Sequence, residues 1–140
     1  NINKLINQYD AFHDRPWNHS NFYQTLYQQF PNSLFILTIR NSSNWLNSYQ
    51  NFAKHIKLNK KWFYKQVSQE LYHNNDFLSF PNSMIDYYEK RNSDVTQFFS
   101  NKNNLLVMNI EAGDGYNQLC PFLNLPTLNQ PFPHSRKKIQ

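Results

Sequence analysis

Short apolar runs alternate with longer stretches of helical periodicity along this chain. Two runs are apolar almost without interruption and cover residues 34–39 and 105–108. Such runs are typical of central strands in a parallel sheet that is covered on both faces. A third, weaker strand is expected over residues 9–12. The alternation of strands with helical segments predicts an α/β fold with a parallel sheet flanked by helices.

Apolar residues that recur every three or four positions predict the helices. The predicted helices cover residues 1–9, 20–29, 43–56, 59–72, 81–100 and 116–123. Pro81 suits the first turn of its helix, where a missing N–H group is tolerated. The 140 residues are enough for one domain with a core. We therefore expect a single domain over residues 1–140.

Composition narrows the class of protein. Aromatic residues make up 17% and charged residues 16%, which favours a globular chain over a disordered one. The net charge of +5 favours an anionic partner, although a solvated face is the simplest explanation for the lysines of residues 54–65. No apolar run is long enough to cross a membrane, and no signal peptide is visible. We expect a cytoplasmic protein with no membrane partner. The scattered histidines form no metal-ligand pattern, so we expect no metal site.

Arg40 ends the first apolar run, and the polar residues 41–44 then open a helix. Ligands of parallel sheets bind just past the carboxyl ends of the strands. An arginine there, beside free N–H groups at a helix start, is suited to hold an anion. Alternatively, Arg40 pairs with a surface carboxylate. The residues alone leave both interpretations open.

The amino-acid sequence of this segment resembles that of a known protein family. Residues 30–40 read Phe-Pro-Asn-Ser-x-Phe-Ile-Leu-Thr-x-Arg and lead into Trp-Leu-x-Ser-Tyr, which closely resembles the core of the P-loop-type sulfotransferases that use the sulfate donor PAPS. The Gly-x-Gly-Tyr segment at residues 113–116 and Pro-Phe-Pro-His at residues 131–134 resemble the family's ending. The resemblance implies a P-loop NTPase-like sulfotransferase fold, which is N-terminally incomplete here. It also implies sulfuryl transfer from PAPS to a hydroxyl or amine of a small molecule or glycan, without a metal.

The resemblance also implies residue roles. Arg40 and Ser48 match the residues that hold the 3′-phosphate of the nucleotide, and their spacing matches as well. Arg136 and Lys137 match a second basic element over that phosphate by composition and rough position only.

The candidate catalytic base comes from Asp-x-Pro, a pattern of the family branch that this chain resembles. Asp14 occupies the position of the base, and His13 is the alternative. A purely structural role for Asp14, as a helix cap or as a partner of Arg15, is equally compatible with the residues.

One part of the family pattern has no counterpart. The loop that cradles the 5′-phosphosulfate needs glycines, whereas this chain has only Gly113 and Gly115. We expect the family's first strand and loop to lie upstream of Asn1. The alternative is a catalytically inactive module that binds a nucleotide or another anionic ligand. A nucleic-acid partner is not expected, because the lysines are not interleaved with a recognition motif.

Overall fold

A computed structural model describes residues 6, 8–14, 17, 19, 21–73 and 76–133. The chain forms two compact units, residues 1–33 and residues 34–140. The first unit contains helix α1 (Phe22–Gln29), in which Tyr23 is buried. The ring of Trp17 lies 4.4 Å from that of Phe12 and 6.1 Å from that of Phe22. Aromatic contacts therefore join the start of α1 to the segment before it.

The second unit places helices beside two parallel strands. In chain order its described elements are β1 (Phe35–Thr38), α2 (Ser42–Asn59), α3 (Lys61–Tyr72), a 3-10 turn (Phe77–Ser79), α4 (Pro81–Phe98), β2 (Leu105–Met108), a second 3-10 turn (Ile110–Ala112) and α5 (Tyr116–Phe122). β1 pairs with β2 in parallel, with Phe35 opposite Leu105 and Thr38 opposite Met108. The predicted α/β class and the parallel pairing of these two runs are confirmed.

The strand β1 is less covered than predicted. Leu37 is buried, and the ring of Phe35 packs 4.8 Å from that of Phe99. Leu34 and Ile36, however, are 44% and 46% exposed. Because successive side chains of a strand point to opposite faces, one face of β1 is packed and the other is open among the described residues. The expectation that this run is covered on both faces is wrong, since apolarity alone does not show which faces have neighbours.

The expected strand at residues 9–12 is also wrong, because these residues form no strand in the structure. Tyr9 and Phe12 are exposed and meet edge to face, with ring centroids 6.5 Å apart. Isolated strands are unstable, because their backbone groups need a paired neighbour. The helix expected over residues 1–9 lies mostly outside the described residues. The other predicted helices are present, with ends that coincide with the prediction or differ from it by at most three residues.

The core of the second unit centres on Phe77, which has no accessible surface. Its ring lies 4.8 Å from that of Tyr64, 4.8 Å from that of Tyr72 and 5.7 Å from that of Tyr49. The buried cluster is completed by Ala53, Ile56, Val67 and Met84. The 3-10 turn thus holds α2, α3 and α4 together through one aromatic side chain.

A polar contact fixes the same turn. The hydroxyl of Tyr64 donates to Asp76 and accepts the N–H of Leu78 at 3.3 Å, and Lys57 Nζ lies 2.5 Å from Asp76 Oδ2. Burial, reinforced by the bond to Asp76, raises the pKa of Tyr64 to about 12. The hydroxyl therefore stays protonated, so that it can donate to the carboxylate.

Phe77→Ala should lower the free energy of unfolding by about 3–5 kcal/mol, because it leaves a cavity among three rings. Phe80→Ala is the matched control. It removes a ring that is 52% exposed and should lower the free energy by less than about 1 kcal/mol. Urea denaturation followed by circular dichroism measures both, and Phe77→Leu extends the comparison if the alanine variant does not fold. Equal losses for the two positions would contradict a core centred on Phe77.

Candidate functional site

The parallel register brings the ends of β1 and β2 to one edge of the sheet. Thr38 lies opposite Met108, so Arg40 and Glu111 follow their strands on the same side of the molecule. Arg40 Nη2 donates a hydrogen bond to Glu111 Oε1, and Asn44 Nδ2 donates to Glu111 Oε2 at 3.2 Å. Of the two interpretations of Arg40, pairing with a carboxylate is therefore the arrangement of this structure.

The backbone of Arg40 is fastened by α4. The Tyr88 hydroxyl accepts the N–H of Arg40 at 2.9 Å and donates to the carbonyl of Arg40 at 3.2 Å. The ring of Trp45 is stacked against those of Tyr88 and Tyr49, at 4.4 and 4.9 Å. One hydroxyl thus satisfies both backbone groups of Arg40, and aromatic packing holds that hydroxyl in place.

The start of α2 differs from the expectation of free N–H groups. The Asn41 side chain accepts the N–H of Ser43 at 3.0 Å and that of Asn44 at 3.3 Å, as an N-cap residue does. Ser42 Oγ donates to Glu89 Oε1 at 2.6 Å. Because Asn41 already engages two of the N–H groups at this helix start, an anion at this edge would depend mainly on side chains.

Ser48 is exposed and lies one turn beyond Asn44 in α2. Residues four apart occupy the same face of a helix, with Cβ atoms about 5–6 Å apart. Because Asn44 already reaches the carboxylate that Arg40 holds, Ser48 continues the same polar face away from the strand end. The structure thus supports a common face for Ser48 and Asn44, while the joint role of Arg40 and Ser48 stays a prediction.

A tight turn holds Glu111 in position. The Asn109 side chain accepts the N–H of Ala112 at 3.2 Å, and the N–H of Asn109 donates to Asp114 Oδ2 at 2.7 Å. Gly113 follows with a φ of 104°, a conformation that residues with a Cβ rarely adopt. Sequence analysis missed Glu111, although its place just after the second parallel strand was a usable signal.

The guanidinium of Arg40 is incompletely satisfied. Its Nε atom is buried and has no hydrogen-bond partner among the residues that the structure describes. The bond from Arg40, followed by that from Asn44, lowers the pKa of the Glu111 carboxyl, so Glu111 is ionised at neutral pH. An open depression of about 480 Å³ adjoins this arginine. Polar side chains of α4 contribute to its lining, namely Asn92, Ser93, Thr96 and Gln97.

The structure describes only some of the remaining candidate site residues. Asp14 and His13 lie in the first unit, are largely exposed and contact each other, with 3.1 Å between His13 Nδ1 and Asp14 Oδ2. Asp14 has a φ of 58°, in the left-handed region that Asp tolerates better than most residues. Arg136 and Lys137 lie outside the described residues, as does Arg15. The role of Asp14 as a base stays a prediction.

A family model described as the sulfotransferase domain matches residues 1–140, and the chain belongs to this family. This finding confirms the resemblance to a sulfotransferase family drawn from residues 30–40 and 113–134, while the assignment to the branch with Asp-x-Pro stays a prediction. A search of curated proteins finds no match.

In the described parts of the chain, no helix has the length and apolarity needed to cross a membrane. The same parts contain no group of three or more His, Cys, Asp or Glu side chains that could hold a metal ion.

If Arg40 holds the 3′-phosphate of the nucleotide, as the family resemblance implies, Glu111→Gln should tighten the binding of adenosine 3′,5′-bisphosphate about two- to fivefold, because the variant lacks the charge that competes for Arg40. Glu89→Gln is the matched control, since it removes the same charge from the carboxylate that contacts Ser42. Isothermal titration calorimetry compares the two variants with the wild type. Weaker binding by Glu111→Gln alone would show that Glu111 orients Arg40 for its ligand and does not compete with it.

Proposed function

We propose that this member of the sulfotransferase domain family transfers a sulfuryl group from PAPS to a hydroxyl or amine, and that Arg40 holds the 3′-phosphate of the donor. The observation that carries the proposal is the placement of Arg40. Its guanidinium lies at the carboxyl end of a parallel strand, its backbone is fixed by Tyr88, and its Nε lacks a partner. A fixed arginine at that edge is suited to bind a phosphate with two parallel hydrogen bonds.

The contact with Glu111 supports this assignment. Its carboxylate is an anion with two acceptor oxygens, and it is held by Arg40 and Asn44 together. A phosphate group offers the same kind of acceptor atoms to the same donors. In the proposed complex, the phosphate takes the place of the Glu111 carboxylate, and Ser48 adds a hydroxyl donor from the next turn of α2.

The transfer step needs a base. The acceptor oxygen or nitrogen attacks sulfur, the bond between sulfur and the bridging oxygen of the donor breaks, and the acceptor loses its proton. In our proposal Asp14 takes that proton, and the adjacent His13 is the alternative base. The acceptor is a hydroxyl or amine of a small molecule or glycan, and the leaving group is adenosine 3′,5′-bisphosphate.

A second candidate function follows from the small number of glycines and their positions in the sequence. Gly113 and Gly115 are both near the end of the sequence, so residues 1–140 contain no glycine-rich loop for the 5′-phosphosulfate. A module without such a loop could bind a nucleotide through Arg40 and Ser48 yet transfer no sulfate. The two candidates share nucleotide binding and differ in turnover, so they can be separated by measuring both.

Arg40→Ala should weaken the binding of adenosine 3′,5′-bisphosphate about tenfold to a hundredfold, because a hydrogen bond to a charged group is worth roughly 1.5–3 kcal/mol. Arg91→Ala removes the same charge from α4 and serves as the matched control. Calorimetric titration of both variants and the wild type measures the difference. Equal affinities for Arg40→Ala and the wild type would refute the proposed nucleotide contact.

Asp14→Asn should lower turnover roughly 10²–10⁴-fold in the full-length protein and leave the affinity for adenosine 3′,5′-bisphosphate near that of the wild type. Asp10→Asn, a change of the same kind four residues away, should keep normal turnover. Transfer of labelled sulfate from PAPS to a panel of hydroxyl and amine acceptors measures the rate. Normal turnover by Asp14→Asn would show that Asp14 is not the base, and His13 would then be the next candidate to test. Nucleotide binding by a wild type that transfers nothing would favour the inactive module.

A further inference from the structure

The corner between α2 and α3 exposes apolar side chains at the opposite end of α2 from the candidate site. α2 ends at Asn59 and α3 begins at Lys61, so the chain turns within residues 58–62. Leu58 and Trp62 are 84% and 70% exposed, more than any other large apolar side chain that the structure describes. Two such side chains on one tight corner are unusual for a surface that meets only water.

Lysines lie close to these two residues along the chain. Lys60 and Lys61 lie between them in sequence, Lys54 lies one helical turn before Leu58, and Lys65 lies one turn after Lys61. All four lysines are exposed. Among the facing groups from neighbouring elements, Asp76 pairs with a different lysine, Lys57. The sequence has no acidic residue from 15 to 69, so α2 and the first two turns of α3 provide no counter-charge.

We propose that this basic corner, made of Lys54, Leu58, Lys60, Lys61, Trp62 and Lys65, docks the protein on the surface of an anionic lipid bilayer. Leucine inserts into the boundary between headgroups and acyl chains, and tryptophan is favoured at the same depth. The lysines then contact anionic headgroups. A soluble polyanion would engage the lysines and leave Leu58 and Trp62 in water, whereas a bilayer satisfies both sets of side chains.

The inference is independent of the proposed function, because it uses none of the residues at the sheet edge. It revises the expectation of no membrane partner, which considered only segments that cross a bilayer. Docking in the plane of the surface needs no such segment. It needs exposed apolar side chains next to cations, and this corner combines the two.

Vesicle co-sedimentation tests the proposal. The wild type should bind vesicles of phosphatidylcholine mixed with phosphatidylserine, bind phosphatidylcholine alone much more weakly, and dissociate as salt is raised. Lys61→Gln should weaken binding about fivefold, since one lysine near the surface contributes about that much. The double variant Leu58→Gln/Trp62→Gln should weaken it about tenfold or more.

Matched controls keep the test specific. Lys90→Gln removes a lysine that pairs with Asp94 on α4, and Leu125→Gln/Leu128→Gln removes two exposed leucines elsewhere. Both should bind vesicles like the wild type. All variants should keep the circular dichroism spectrum and the urea midpoint of the wild type, which shows that they fold without relying on the proposed nucleotide site.

Three results would overturn the proposal. The first is a wild type that does not bind the phosphatidylserine vesicles. The second is unchanged vesicle binding by Leu58→Gln/Trp62→Gln. The third is tight binding of soluble heparin that depends on Lys61 and not on the two apolar residues, together with vesicle binding that shows the same dependence. That result would assign the corner to soluble polyanions.

Discussion

A ladder of four residue pairs joins β1 to β2, from Phe35 opposite Leu105 to Thr38 opposite Met108. Parallel strands cannot be joined by a tight hairpin, so α2, α3 and α4 all lie in the crossover between them. A slip of one residue in this ladder would turn Leu37 out of the core and carry Glu111 away from Arg40. Both the helical layer and the sheet edge therefore depend on one short register.

The sheet edge owes its geometry to neutral contacts more than to charge. Arg40 and Glu111 are each about one-third exposed, and exposed ion pairs contribute little to stability. The Tyr88 hydroxyl and the stacked ring of Trp45 instead hold the backbone of Arg40. The charged partners can thus exchange without disturbing the fold, which is what a site for an anion requires. In the proposed site, Tyr88 and Trp45 hold the backbone of Arg40, and ligand recognition would depend on its guanidinium.

Local signals explain what could be predicted from the sequence. Apolar runs located β1 and β2, helical periodicity located the helices, and Pro81 marked the first turn of α4. Arg40 was found because it directly follows an apolar run, and the family match confirms that the segment around it resembles a sulfotransferase. Glu111 and Tyr88 were missed, because they reach Arg40 from 71 and 48 positions along the chain. Exposure of Ile36 was missed because coverage of a face depends on elements remote in sequence.

The double hydrogen bond from Tyr88 has a consequence for how the molecule opens. The amide of Arg40 can exchange its proton with water only when its hydrogen bond to the Tyr88 hydroxyl breaks, and Tyr88 is a buried residue of α4. Edges of small sheets normally fray before the core does. Here the end of β1 is hydrogen-bonded to α4, so exchange of the Arg40 amide should report on loosening of the helical layer as well as of the sheet edge.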